Sequence, residues 1–314
     1  MENKKRTSAF APASVGNVGV GFDTLGHALN CAGDTVTIRA GDAGAGVTLG
    51  HVTGILQELP ADPSSNTALL PLIAIRDERS IDDGIIVDID KGIPLGSGMG
   101  GSAASAVAAV VAADTYWDLE LSKDELLAYS LMGEAVASGS PHADNAAPSL
   151  YGGLVLCEGT ADPIVTSLTA PPTLCCVLVH PAVTIETREG RGLLRKDVPL
   201  EVHVRQSQYL AGFVAGCLRN DLDQITRCLR DIVIEPQRSK LIPGFENAQR
   251  AALEAGALGC SISGSGPSVF AWCTKKRAET VRGALVEAFE AAGLQCDGWI
   301  SLIDAPGARV VSND

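Results

Sequence analysis

A glycine-rich turn near the middle of the chain has a composition better suited to binding an anionic ligand than any other segment. Four glycines fall within residues 96–101, and an Ala/Val-rich run without helix breakers follows from Ala103 to Ala113. A glycine-rich loop that opens a helix presents backbone N–H groups at an electropositive helix N-terminus, and glycine lets the backbone approach a ligand closely. The turn therefore predicts a phosphate site. A tight strand-to-helix turn without a ligand remains the alternative.

Two common phosphate loops fit this turn poorly. Gly96-x-Gly98-x-x-Gly101 matches the dinucleotide fingerprint, but that fingerprint needs a βαβ unit. Here the first helix is followed by a second helix, because Ser122 and Glu125 form a capping-box pattern. A Walker loop needs Gly-Lys-Ser/Thr, which occurs nowhere in the chain. A phosphate site of another class is favoured.

The elements that must position this turn alternate between strands and helices. Strands are expected at 35–39, 47–52, 84–90, 154–157, 174–179 and 299–303, and as a pair around a glycine turn within 259–272. Helices are expected from Ser102, from Ser122 to about Ala137, and at 204–218, 222–232, 245–255 and 277–292. Residues 138–148 are expected to form a loop. Pro171-Pro172 is the best boundary signal, which divides the chain into 1–170 and 171–314.

Composition narrows the function classes. The chain has 314 residues with 46% apolar residues, enough for two domains with sizeable cores. A net charge of −13 argues against binding a nucleic-acid backbone. Nine cysteines without metal-ligand spacing indicate free thiols in a reducing compartment. No leader or membrane span is recognisable, so the expected location is the cytoplasm.

Three segments together resemble the GHMP kinases, the superfamily of galactokinase, homoserine kinase and mevalonate kinase. They are residues 12–23, the glycine turn 94–104 and Ser263-Gly264-Ser265-Gly266-Pro267. Within the superfamily the chain resembles the homoserine kinase family. That resemblance rests on residues 17–26, 142–148 with 152–153, 187–191, 235–238 and 242–245.

The resemblance implies a two-domain α+β GHMP kinase fold. Its N-terminal half would be ribosomal protein S5 domain 2-like, and its C-terminal half would be ferredoxin-like α/β. The implied reaction transfers the ATP γ-phosphoryl group to the side-chain hydroxyl of L-homoserine, a step of threonine biosynthesis. ATP and Mg²⁺ would be required, and the assembly would be a homodimer. Another GHMP kinase, a dinucleotide-dependent oxidoreductase and a non-catalytic ATP-binding protein are the alternatives.

The resemblance also implies which residues bind the nucleotide and the metal. Glu134 and Ser102 would be the Mg²⁺ ligands. The nucleotide would be bound by the glycine turn and two residues outside it: Pro94, Leu95, Gly96, Ser97, Gly98, Met99, Gly100, Gly101, Ser102, Ala103, Ala104, Ser105, Asn66 and Thr187. From the residues alone, Ser102 could instead cap the helix and Glu134 could be a solvated side chain.

Homoserine is a zwitterion, so its site needs both signs of charge. Asp23 would take the ammonium, while Arg191 and Arg238 would clamp the carboxylate, which suits a guanidinium fork. Asn17, His142, Asn145 and Gly264 would complete the substrate site. Without the resemblance, Asp23 could simply cap a helix at Thr24.

Two mechanisms could account for the loss of the proton from the substrate hydroxyl. Asp144-Asn145 stands where mevalonate kinase-like members carry a catalytic aspartate, so Asp144 is a candidate general base. The homoserine kinase resemblance instead implies that Asn145 contacts the hydroxyl. Asparagine cannot accept a proton, and catalysis would then rest on positioning and charge stabilisation, with Glu134 and Ser102 on the metal. This second mechanism is favoured.

Overall fold

The computed structural model describes residues 5–139, 142–159 and 162–314. Within them it has strands β1 (Arg6–Gly16), β2 (Leu25–Ala40), β3 (Val47–Gly54), β4 (Ile85–Lys91), β5 (Leu154–Glu158), β6 (Ile164–Leu168), β7 (Leu174–Pro181), β8 (Ala257–Ile262), β9 (Val269–Thr274), β10 (Cys296–Ser301) and β11 (Arg309–Asn313). The helices are α1 (Leu69–Arg79), α2 (Gly101–Trp117), α3 (Lys123–Ser138), α4 (Ala143–Tyr151), α5 (Thr187–Gly192), α6 (Leu200–Arg219), α7 (Leu222–Cys228), α8 (Glu235–Arg238), α9 (Phe245–Glu254) and α10 (Ala278–Ala291).

The larger sheet is built around the long strand β2. Its order is β11-β1-β2-β4-β3, and β5 pairs with the start of β2 and carries β6 on its other side. Among the described strands of this sheet, only β3 and β4 pair in parallel. Because β11 from the end of the chain pairs with β1, the C-terminal segment completes the sheet of the N-terminal half. The division of the chain at Pro171-Pro172 stays a prediction.

Helix α2 is the central helix on this sheet. It contacts β1 and β2 as well as α3 and α4, and its small side chains are almost all buried. Alanine and valine allow this close packing on all sides of one helix, which explains a segment that is apolar around its whole circumference. The glycine turn that precedes α2 is thereby fixed at the edge of the core.

The smaller sheet is antiparallel, in the order β10-β7-β9-β8. Alternate residues of β7 serve two cores: Cys176 and Leu178 face the larger sheet, whereas Val177 and Val179 face α9 and α10. Both faces are covered, so the strand reads as a continuous apolar run. Between the sheets the Trp272 indole N–H donates to His27 Nε2 at 3.2 Å.

Most predicted elements are confirmed, several strands with longer bounds, although the helix expected over 222–232 ends at Cys228; the loop over 138–148 is wrong. From Ala143 onward this segment is helix α4, which accommodates Pro148; residues 140 and 141 lie outside the described residues. Strand β1 and helix α1 were not predicted. All nine cysteines are free, as expected. In the described part of the chain, no helix is long and apolar enough to cross a membrane.

Candidate active site

A cavity of about 450 Å³ opens at the glycine turn and is bounded by segments from both halves of the chain. Its size is within the range of small-molecule sites. Most of the predicted site residues line it: Asn17, Asp23, Asn66, Pro94, Leu95, Gly96, Ser97, Gly98, Gly100, Gly101, Ser102, Ser105, Glu134, His142, Asp144, Asn145, Thr187, Arg191, Arg238 and Gly264. The predicted Met99, Ala103 and Ala104 do not; all three are fully buried in the core.

The glycine turn uses the backbone freedom of glycine at alternate positions. Gly96, Gly98 and Gly100 have φ values of 59°, 75° and 69°, which other residues adopt only with strain. Gly100 is the N-cap of α2, and the helix begins at Gly101. The first N–H groups of a helix lack intrahelical acceptors, so the α2 N-terminus offers the cavity a ready anion site. Ser102 is therefore not the N-cap.

Two distant segments converge on this turn. Ser14 N–H donates to the Met99 carbonyl at 3.0 Å, and Ser263 Oγ donates to the Gly98 carbonyl at 2.7 Å. A Cβ at Gly98 would lie 2.5 Å from the Ser263 carbonyl oxygen, so only glycine allows this approach. The expectation that residues 263–266 fold beside the glycine turn is confirmed.

A buried charge pair supports the turn from below. Lys91 is 2% exposed; its Nζ donates to Asp34, to Ser105 Oγ at 2.9 Å and to the Gly101 carbonyl at 3.1 Å. Asp34 Oδ1 accepts the N–H groups of Gly92 and Ile93. The pair thus joins β2 and β4 to both ends of the glycine turn. The pair has no signature in the sequence, because Asp34 and Lys91 are far apart in the chain.

Ser102 and Glu134 meet at the cavity wall. Ser102 Oγ donates to Glu134 Oε2 at 2.6 Å, although the two residues belong to different helices. Burial raises the pKa of the Glu134 carboxyl to about 7, and the charge of Asp144 adds to the rise. A buried carboxylate with a hydroxyl beside it is an oxygen donor set that suits Mg²⁺. Glu134 is 6% exposed, so the alternative of a solvated side chain is wrong.

Asp144 and Asn145 begin helix α4 and reach different partners. Asp144 Oδ2 accepts the Asn17 N–H at 3.0 Å, and Asn145 Oδ1 accepts the Ser14 hydroxyl at 2.9 Å. A Cβ at Gly16 would lie 2.5 Å from Asn145 Nδ2 and 2.6 Å from Asp144 Oδ2, which explains a glycine there. Burial raises the pKa of Asp144 to about 7, with a contribution from the Asp23 charge.

The other end of the cavity holds charges of both signs. Arg191 donates to the two oxygens of Asp23 at 2.8 and 3.1 Å, and His142 Nδ1 lies 3.7 Å from Asp23 Oδ2. The Nε of Arg191 is buried and, among the described residues, has no hydrogen-bond partner. An unsatisfied buried donor is uncommon in folded proteins and requires an explanation. Asp23 precedes strand β2 rather than a helix, so the helix-cap alternative is wrong.

Arg238 approaches the same place from helix α8. It is 2% exposed and donates to the carbonyls of Gly264 at 3.0 Å and Gly190 at 3.2 Å. Burial lowers the pKa of Arg238, and the charge of Arg191 lowers it further. Asn17 Nδ2 also donates to the Gly264 carbonyl, at 2.9 Å. The Gly264 carbonyl therefore connects Asn17 of the N-terminal motif with Arg238.

Comparison with known proteins agrees with this arrangement. The family profiles for the GHMP kinases N terminal domain and the GHMP kinases C terminal match residues 67–153 and 213–291. A homoserine kinase of Xylella fastidiosa (strain M12) is 47% identical over 304 residues, covering 96% of this chain and 93% of the relative. One of Chloroherpeton thalassium is 41% identical, covering 98% and 100%. The chain belongs to the homoserine kinase family of the GHMP kinases.

A solved structure extends the likeness to the whole fold. The crystal structure of homoserine kinase from Cytophaga hutchinsonii superposes with a TM-score of 0.94 at 40% identity, and 99% of each chain is covered. The family relationship makes the chain an ATP-dependent small-molecule kinase with a two-domain α+β fold. The fold expected from the three glycine-containing segments is confirmed.

The kinase also contains site residues that sequence reasoning did not select. Lys91 lines the cavity, and Ser14 holds Asn145. Phe22 contacts both Arg191 and Arg238. The motif over residues 17–26 contained Phe22, but an aromatic residue beside a charged one carries no signal of its contacts. Asn66 lines the cavity, and its Oδ1 accepts the Ala68 N–H at 3.0 Å just before α1.

Proposed function

We propose that this kinase transfers the γ-phosphoryl group of ATP to the side-chain hydroxyl of L-homoserine. One observation carries the proposal: consecutive residues of α4 link the anion site to the zwitterion site. Asn145 lies against the turn, since a Cβ at Gly100 would be 3.0 Å from Asn145 Oδ1, and Asp144 accepts the Asn17 N–H. A hydroxyl that faces a terminal phosphate belongs at this junction.

The phosphates of ATP would lie along the glycine turn and the N-terminus of α2. Backbone N–H groups and the helix dipole supply part of the charge neutralisation that phosphoryl transfer needs. Lys91 contributes little charge there, because Asp34 neutralises it. Glu134 and Ser102 would hold Mg²⁺, which supplies the remaining positive charge beside the phosphates. Asn66 and Thr187 would border the nucleotide further along the cavity.

The acceptor site fits an amino acid better than a neutral or purely anionic alcohol. Arg191 and Arg238 offer two guanidinium forks to a carboxylate, and Asp23 offers a carboxylate to an ammonium. A sugar alcohol has no charge to exchange for the Asp23–Arg191 ion pair, and it offers no anion to Arg238. His142, Asn17 and Gly264 complete the wall around the substrate backbone.

We further propose that alignment, rather than a strong base, carries the chemical step. Asn145 Oδ1 is occupied by the Ser14 hydroxyl, which leaves the Nδ2 hydrogens to orient the substrate oxygen. Asp144 Oδ2 is already engaged by the Asn17 N–H. In a loose transition state the hydroxyl proton leaves late, so positioning and electrostatics dominate.

A substrate panel tests the proposal. The chain is incubated with Mg-ATP and L-homoserine, mevalonate, galactose or L-threonine, and products are followed by phosphorus NMR. A new phosphomonoester signal with homoserine, formed faster than with the other alcohols, supports the proposal. Faster phosphorylation of mevalonate or galactose would overturn it. Dimerisation and the cytoplasmic location remain predictions.

A further inference from the structure

The ring of Phe22 contacts the two arginines proposed to clamp the substrate carboxylate. Its centroid lies 5.3 Å from Arg191 Cζ and 5.2 Å from Arg238 Cζ. Both distances are within the about 6 Å over which a cation is attracted to the negative face of an aromatic ring. One benzene ring therefore touches both guanidinium groups of the site.

The two guanidinium groups create an electrostatic problem that the ring reduces. Arg191 has a full counter-charge in Asp23, whereas Arg238 donates to the neutral carbonyls of Gly190 and Gly264. Arg238 is buried beside a like charge. A π face supplies negative potential without adding a charged group that would compete for the arginines.

The position of Phe22 in the chain ties the ring to the rest of the acceptor site. It directly precedes Asp23, whose φ is 55° and whose N–H donates to Asn17 Oδ1 at 3.0 Å. Gly21 N–H donates to the Asn17 carbonyl at 2.9 Å. A single pinned turn thus presents both the acceptor for an ammonium and the surface on which the arginines rest.

We propose that Phe22 is a positioning residue of the acceptor site: its π face holds Arg191 and Arg238 together so that both receive one carboxylate. The proposal rests on the proposed function, because the carboxylate is that of the amino-acid substrate. Its quadrupole, and not only its apolar volume, carries the role. Pre-organisation of this kind strengthens binding by lowering the cost of ordering the site.

The test compares variants that separate the ring's charge distribution from its size. Phe22→Leu keeps an apolar side chain without a π face, 3,4,5-trifluorophenylalanine at position 22 keeps the shape with a weakened face, and Phe22→Tyr retains the face. We expect the homoserine KM to rise about tenfold in Phe22→Leu and by a smaller factor with the fluorinated ring. The KM for ATP should stay within twofold, and Phe22→Tyr should behave like the wild type.

A second phenylalanine–arginine contact, outside the cavity, provides a matched control. The ring centroid of Phe10 lies 4.7 Å from Arg309 Cζ on the strand pair β1–β11, and Phe10 does not line the cavity. Phe10→Leu removes a comparable contact and should leave the homoserine KM unchanged. An unchanged homoserine KM in Phe22→Leu and with the fluorinated ring, or an equal rise in the ATP KM, would overturn the proposal.

A second measurement judges the ring contact without any turnover. In NMR spectra of the arginine Nε–H groups, Phe22→Leu should change the chemical shifts of Arg191 and Arg238, because the ring current of Phe22 is lost. Phe10→Leu should change that of Arg309 instead. If the wild type fails to phosphorylate homoserine, the proposed function fails, and unshifted arginine signals in Phe22→Leu would separately refute the proposed contact.

Discussion

The carboxylate of Asp23 and the guanidinium of Arg191 form a two-point ion pair, with N–O distances of 2.8 and 3.1 Å, at the acceptor end of the cavity. The proposed ammonium acceptor thus neutralises one of the proposed carboxylate donors. A zwitterion can replace this pair with two new ones, because its ammonium takes Asp23 and its carboxylate takes Arg191. A ligand with a single charge would leave one partner unpaired.

Asp23→Asn should therefore weaken homoserine binding and relax the requirement for an ammonium. Loss of a charged hydrogen bond of about 1.5–3 kcal/mol corresponds to a homoserine KM about 10- to 100-fold higher. The relative rate with 4-hydroxybutanoate, which lacks the ammonium, should rise. Glu279, paired with Arg282 at 2.9 Å on an exposed helix face, provides the control Glu279→Gln. An unchanged preference in Asp23→Asn would remove Asp23 from the substrate site.

Glu134→Gln should lower kcat and raise the Mg²⁺ concentration needed for half-maximal activity. The amide oxygen can still accept the Ser102 hydroxyl, so the change removes charge while it keeps the local hydrogen bond. By analogy with other preorganised charge-stabilising groups, kcat should fall about 100-fold. A magnesium titration at saturating ATP and homoserine measures both effects. A titration curve identical to that of the wild type would contradict the metal assignment.

Asp144→Asn discriminates between alignment and general-base catalysis. The amide oxygen can still accept the Asn17 N–H, so the geometry of the turn is retained. General bases contribute about 10²- to 10⁴-fold, whereas we expect a loss in kcat of less than about tenfold. Single-turnover rates at saturating substrate isolate the chemical step. A loss of several orders of magnitude would identify Asp144 as the base.

Lys91→Met should destabilise the fold because it leaves the Asp34 carboxylate buried without its counter-charge. Breaking a buried pair in this way costs about 3–5 kcal/mol in the free energy of unfolding. Adding Asp34→Asn should recover part of this loss, since the neutral amide can still accept the Gly92 and Ile93 N–H groups. Urea unfolding of the two single variants and the double variant measures the coupling. Additive losses would show that the pair does not act as a unit.

The local sequence pattern was sufficient to predict the elements that have a capping motif or a continuous apolar run. The capping box of Ser122 and Glu125 marked the start of α3 correctly, and the apolar run 174–179 marked β7. Strand β1 escaped prediction because it is Ala- and Ser-rich and buried along almost its whole length, so it lacks the alternation of a half-exposed strand. Helix α4 escaped because its Pro148 is typical of loops.

The site divides in the same way between local and non-local information. The glycine turn and the arginines could be selected from motifs that are continuous in the chain, whereas Glu134 was selected only through the family resemblance. The pairing of Asp34 with Lys91 depends on the register of β2 against β4, where Thr35 is opposite Asp90. The contact of Phe22 with Arg238 likewise depends on how the two halves pack. Neither relation has a signature in a single sequence.

The central claim is that one cavity binds ATP at one end and a zwitterion at the other, and Arg238→Lys tests it most directly. Lysine keeps the charge but loses the planar fork, and Arg195→Lys is an exposed control outside the cavity. Steady-state KM values for homoserine and ATP are measured for both variants. We predict a homoserine KM raised at least about tenfold in Arg238→Lys with the ATP KM unchanged. Equal changes in both KM values, or no change in either, would contradict the account.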